Sequence, residues 1–154
     1  MKIRSITSFI DPKKNSTKVL LQSLSQLSQE LTKQFTDAGF EVESIRIAAP
    51  PLAYYLPEKT QLWTEKIRDL ESLVLEYGWT YFSAGSATVD RSDSYEIIPE
   101  LILATRSTFF NAVISDQKQV YPVAARSCSK IIKAVSTIQE NGFSNLHFAA
   151  LANV

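Results

Sequence analysis

Apolar residues recur at steps of three or four through four stretches of the chain, and short runs of strand length lie between those stretches. The first helical stretch starts at Ser16, a residue type whose hydroxyl can cap orphan backbone N–H groups. Leu20, Leu24, Leu27, Leu31, Phe35 and Ala38 make its apolar stripe, and Ser23, Ser25, Gln26, Gln29, Glu30 and Lys33 fill the wet side. The second stretch covers 58–77, with Trp63, Ile67, Leu70, Val74 and Tyr77 in line. A third, shorter helix is expected around Pro99, which suits a first turn because it lacks the N–H that would go unpaired there. The last begins near Pro122 and aligns Ala124, Cys128, Ile131, Val135 and Ile138.

The intervening runs are 3–10, 41–47, 79–83, 109–115 and 146–150; β-branched and aromatic residues recur in the first four, and the last leans on Leu146 and Phe148. Gly39, Gly78 and Gly142 each close a run of helical spacing, where glycine can take the left-handed conformation that ends a helix. The order strand, helix, strand, repeated to a fifth strand, predicts a single α/β domain over 1–154 with mostly parallel strands and right-handed crossovers. The fifth run leads directly to Val154. A terminal strand of a parallel sheet needs cover on both faces, so the expectation is that a further part of the sheet is missing.

Charge removes one class of function. Lys plus Arg and Asp plus Glu are 16 each, with no long block of either sign, so the basic excess of a nucleic-acid binder is absent and no nucleic-acid partner is expected. One cysteine, Cys128, excludes an internal disulfide and a multi-cysteine zinc site. One histidine, His147, excludes a His-rich metal site. A reducing, cytoplasmic setting fits best. The opening Met1-Lys2-Ile3-Arg4 is followed too soon by polar residues for a signal peptide, and no run reaches the ~18 apolar residues of a membrane span.

Several segments resemble a known family. Met1-Lys2-Ile3-Arg4-Ser5-Ile6-Thr7, Arg46-Ile47-Ala48-Ala49-Pro50-Pro51, Tyr81-Phe82-Ser83-Ala84-Gly85-Ser86-Ala87 and the closing stretch from Asn141 to Val154 are similar, in order, to the uncharacterised bacterial and archaeal domain of unknown function 711. The resemblance implies a longer protein continuing into a proline- and glycine-rich segment, so that this chain is an N-terminal fragment or a truncated reading frame. It implies a fold similar to the ten-stranded α/β barrel of pyruvate formate-lyase-like (PFL-like) enzymes, of which five strands would make one half. It implies no reaction, and His147 stands where relatives often carry arginine. Glycyl-radical chemistry does not follow from such a fold: the radical glycine motif is absent, and Cys128 falls within a helix rather than a strand-tip loop.

The candidate chemistry is sparse. Cys128 shares an apolar stripe and reads as a small hydrophobe, with reactivity as the sharper alternative. His147 reads as a hydrogen-bonded structural histidine; as a general base it needs a partner. Arg4 and Arg46 lie inside apolar strands, where each is either a strand-end ion pair or an anion-binding guanidinium facing a barrel interior. Ligands of parallel α/β proteins sit at the C-terminal ends of the strands, which nominates Asp11, Ser83, Gly85, Ser115 and Asn153. Each of the polar ones could equally be a turn or cap residue. Gly85 caps no helix and either lets backbone approach a ligand or serves an ordinary turn. Phosphate-loop and dinucleotide glycine patterns are absent. The sequence thus leads to the first half of a PFL-like α/β barrel with a small-molecule site on the strand C-terminal rim, inactive alone, its partner a missing C-terminal half or a second copy. The rival is a complete small binding module that pairs through its exposed last strand. Substrate, reaction and cofactor are not legible.

Overall fold

The computed structural model describes residues 1–14 and 16–154. In chain order the elements are β1 (Lys2–Ile3), β2 (Ile6–Phe9), α1 (Thr17–Asp37), β3 (Glu41–Val42), β4 (Ile45–Ala48), α2 (Leu52–Tyr55), a 3-10 turn (Thr60–Leu62), α3 (Trp63–Glu76), β5 (Tyr81–Ala87), α4 (Asp93–Glu96), α5 (Ile98–Ala104), β6 (Thr108–Val113), α6 (Pro122–Val135), a 3-10 segment (Glu140–His147) and β7 (Phe148–Leu151). β2, β4, β5, β6 and β7 form a five-stranded sheet in which every neighbouring pair is parallel. The α/β class and the parallel pairing agree with the period of the sequence.

Two expected strands are broken. The run 3–10 splits into β1 and β2, and 41–47 into β3 and β4, because the chain kinks at Arg4-Ser5 and Glu43-Ser44. Pairing continues across the kink: Glu43 N donates to Ile3 O, Ile6 N donates to Ser44 O, and the Ser44 hydroxyl satisfies Arg4 O at 2.9 Å. β5 runs on to Ala87 and absorbs the start of what reads as a polar loop. β7 starts only at Phe148; His147 ends the preceding 3-10 segment and Leu146 is exposed. Gly142 closes no α-helix. It lies beside Asn141 in a left-handed pair inside that 3-10 segment, well past the end of α6.

α1 is rotated from the expected stripe. Leu20 and Leu27 are exposed, while Thr17, Leu21, Ser25 and Ser28 are buried. The reason is a polar bond with close packing: Ser25 Oγ donates to Tyr77 O at 2.6 Å, satisfying a carbonyl at the end of α3. Small hydroxyls on this face let the helix approach where leucines would not fit. Ser16 precedes the helix but makes no side-chain cap bond; instead Thr17 Oγ1 donates to Lys14 O at 2.6 Å. The stripes of α3 and α6 hold, with Trp63, Ile67 and Val74 buried on one and Ala124, Cys128, Ile131 and Val135 on the other.

Strand order decides which face of the sheet is covered. The five strands lie side by side in the order they occur in the chain, with no reversal. Right-handed crossovers then place every connecting helix on the same face. Burial obeys that rule. Ile47, Phe82, Ala84, Thr108, Phe110 and Ala112 are buried on the helix-covered face. The residues alternating with them make a second, open face. Register stacks that face in rows: Thr7, Arg46 and Tyr81; then Phe9, Ala48, Ser83 and Phe109; then Ser86, Asn111 and Ala149; then Val113 and Leu151. Phe9 is 75% exposed there, against 1% for Phe110 on the covered side. Among the described residues no helix is long and apolar enough to cross a membrane.

Candidate functional site

The strand C-terminal ends form a rim with two built corners. At one, Asp11 follows β2 and accepts the Lys13 backbone N–H at 3.1 Å, the turn expected of Asp before proline. The Tyr54 hydroxyl reaches its other oxygen at 3.4 Å, and the Lys13 ammonium lies 4.5 Å from the Tyr54 ring centre. Phe9, Asp11, Ala48, Pro50 and Tyr54 line an open hollow of about 410 Å³ at this corner. At the other corner Ser115 is buried, and its Oγ and carbonyl oxygen both accept the Asn153 N–H, at 2.8 and 3.1 Å. Asp116 organises the adjoining loop: Oδ1 accepts the N–H groups of Lys118 and Gln119, and Oδ2 accepts the Tyr121 hydroxyl at 2.7 Å. Those bonds, the Tyr121 hydroxyl foremost, hold the Asp116 carboxyl below the usual aspartate range.

Gly85 lies between the corners, at a register shift between Ser83 and Ser86 in the β5–β6 pairing. Its φ is +91°, and an added Cβ would stand 2.0 Å from Pro50 O and 2.8 Å from Pro50 C. The space that glycine opens is filled by the neighbouring strand's exit loop. Ala49 N donates to Ser83 O beside it, and the buried Tyr55 hydroxyl donates to Ala84 O at 2.7 Å. Burial of that phenol raises its pKa above the ordinary tyrosine value.

The two arginines part company. Arg4 is exposed at the kink between β1 and β2. Arg46 lies on the open face, toward the N-terminal ends of the strands. Its Nε donates to Ser44 Oγ at 3.0 Å, and its guanidinium sits 5.3 Å from the Tyr81 ring centre. Among the described residues neither arginine has a carboxylate within ion-pair distance; the pairs formed are Lys2 with Glu41 and Glu43, and Arg91 with Asp93. From Arg46 an aromatic row crosses the sheet. Tyr81 meets Phe109 edge to face at 5.3 Å, and Phe109 stacks on the His147 ring at 4.9 Å. His147 Nδ1 faces Thr108 O at 2.9 Å, and since a carbonyl only accepts, that nitrogen carries a proton and leaves Nε2 as the acceptor of the neutral ring.

The seven nominated residues therefore fall into groups. Asp11 and Gly85 flank the loop after β4, Arg46 and Ser83 share the open face, Ser115 and Asn153 are bonded to each other, and Arg4 stands apart. Sequence reading passed over Tyr81, Phe109 and Asn111, all half-buried on the open face. Asn111 Oδ1 is enclosed without a hydrogen-bond partner among the described residues. Alternation along 109–115 was the available signal for Phe109 and Asn111. It went unused because the face it defines looks like core until the strand order is known.

A second hollow, about 190 Å³, opens between α4 and α6 on the outer surface and is lined by Val89, Tyr95, Tyr121, Pro122 and Val123. Its two phenols are already spent, Tyr95 on Val113 O and Tyr121 on Asp116. Burial pushes the Tyr95 pKa up to about 12, and burial likewise raises that of Cys128, which is packed in the core. Neither supplies chemistry there.

The family model described as Uncharacterised ACR (DUF711) matches residues 1–154. This chain belongs to that family. A search of the curated proteins finds no match. Membership of DUF711 goes with an uncharacterised function and assigns none of the residues above a role.

Proposed function

We propose that this DUF711 chain is one half of a PFL-like α/β barrel, that its open sheet face lines the barrel interior, and that a small molecule binds toward the strand C-terminal rim. One observation supports this above others: strand order follows chain order without reversal, so right-handed crossovers place the connecting helices of the described residues on one face and leave the other open. A doubly wound sheet would cover both faces and make its binding crevice where the order reverses. A singly wound sheet has no such crevice, and its interior is completed by more strands.

On this reading the 154-residue chain in isolation self-associates or is poorly soluble, and it has no activity. Light scattering after size exclusion, with a thermal melt, tests it. A monodisperse monomer that melts cooperatively overturns the reading. The outer edge of β7 favours a second reading, a stand-alone module that adds a partner strand there, since β7 pairs only with β6 among the described residues. The coding frame beyond codon 154 separates the two: five further alternating units support the half barrel, and a stop with no second half favours the module.

A further inference from the structure

The open face has a trough in it. In its second row two small residues, Ala48 and Ser83, lie between two phenylalanines, Phe9 and Phe109. With strands about 4.8 Å apart, the backbones of those phenylalanines stand roughly 14 Å from each other, leaving room for one flat group over the small residues. Arg46 and Tyr81 close the trough at its N-terminal end, one row below. The guanidinium is held at Nε by Ser44 and against the Tyr81 ring, so its two terminal nitrogens keep a fixed aim. Thr7, paired in register with Arg46, adds a hydroxyl 3.5 Å from that of Ser5.

Charge selects the occupant. The open-face rows contain Arg46 and no Asp or Glu, and the acidic residue near the trough, Asp11, lies at the opposite, rim end. We propose that the trough takes a carboxylic acid with a flat apolar body, its carboxylate on Arg46 and its body over Ala48 and Ser83 between Phe9 and Phe109. This deepens the small-molecule reading above and rests on the open face being ligand-facing, but not on the barrel being completed by any particular partner.

The test uses benzoate as the acid, benzamide as its neutral twin, and acetate and inorganic phosphate as oxyanions without the ring. Ligand-observed saturation-transfer NMR on the 154-residue chain works whether the chain is monomeric or assembled. Benzoate is expected to bind saturably, with benzamide, acetate and phosphate each about tenfold weaker or worse, because a charge-assisted bidentate pair and ring burial are each worth about that factor. Arg46→Gln should weaken benzoate about tenfold and leave benzamide unchanged. Ala48→Leu, which fills the trough floor, should abolish benzoate binding while the far-UV spectrum stays the same. Benzoate binding indifferent to Arg46→Gln, or phosphate binding as well as benzoate, overturns the proposal, and so does an absence of saturable benzoate binding. A monomeric chain that still binds benzoate through Arg46 sinks the half barrel and keeps the trough; an assembled chain blind to benzoate does the reverse.

Discussion

The two faces of the sheet share strands, register and backbone geometry, yet they are built for different ends. On the helix-covered face Ile47, Phe82, Phe110 and Ala112 are buried against helices, and a buried carboxylate locks the strand entry: Glu71 Oε1 on α3 accepts the Arg106 and Ser107 N–H groups and the Thr108 hydroxyl at 2.7 to 3.0 Å. On the open face the same strands present a guanidinium without a carboxylate among the described residues, a row of rings and an exposed phenylalanine. On the covered side the Glu71 carboxylate and the Thr108 hydroxyl satisfy each other within the chain. On the open side the terminal nitrogens of Arg46 have no carboxylate among the described residues. Stability therefore resides on the covered side of the sheet, the recognition proposed above falls on the other, and the difference can be tested by substitution.

The largest effect belongs to the covered face. Phe110→Ala should cost about 3–5 kcal/mol, the transfer loss plus the cavity left behind a fully packed ring. Phe109→Ala, one residue away and facing out, should cost less, roughly 1–2 kcal/mol, because its ring is half-buried and loses mainly its contacts with Tyr81 and His147. Chemical denaturation of the two variants measures the difference directly. Equal losses would mean that both faces are core, and the distinction between them would collapse.

Glu71→Ala comes next. It strands two backbone donors and a buried hydroxyl at the start of β6, at a cost of roughly 2–4 kcal/mol. Denaturation gives the total, and hydrogen exchange should locate the loss at residues 105–109. Glu71→Gln should recover part of it, since an amide oxygen still accepts but without charge. If the alanine variant is as stable as the parent, Glu71 is not the lock described.

The same contrast explains how legible the molecule was. Period gave the parallel α/β class, and the apolar stripes of α3 and α6 were readable because their packing is purely hydrophobic. The stripe of α1 was misread by one position because Ser25 is buried through a hydrogen bond to Tyr77, and hydrophobicity does not register a hydroxyl that finds a distant carbonyl. Glu71 was missed for the same reason: its partners are 35 to 37 residues away. Gly85 was noticed as a glycine without a helix to cap, but its crowding by Pro50 depends on two loops meeting in space. Alternation marks two faces on each strand, but which of them stays open is not legible locally, since nothing local states whether strands return in chain order or reversed.

A smaller effect should come from Phe9→Ser. At 75% exposure the ring contributes within about 0.5 kcal/mol to folding, so the melting temperature should hardly move. If the open face is sticky because it is apolar and bare, the variant should be less self-associated by light scattering at equal concentration. An unchanged assembly state would show that association runs through the strand edges instead.

The smallest effect is a local one at the rim, and it depends on pH. Asp116 is held below the usual aspartate pKa by the Tyr121 hydroxyl and the Lys118 and Gln119 amides, all bonds to its ionised form. A group whose folded pKa is depressed stabilises the fold above its unfolded pKa, and that contribution disappears as pH falls through the folded value. The 115–121 loop should therefore keep its form from neutral pH down to the ordinary aspartate range and open only below it. Amide exchange at Lys118 and Gln119 should quicken there, ahead of any change at the Arg106 and Ser107 amides held by Glu71. Asp116→Asn keeps an acceptor for the turn but forfeits the charge, so its loop should exchange faster at neutral pH and lose the acid-dependent step. A loop that opens at the same pH in the variant as in the parent would show that another group controls it, and the rim would then owe its shape to the Ser115–Asn153 bonds that tie β6 to β7.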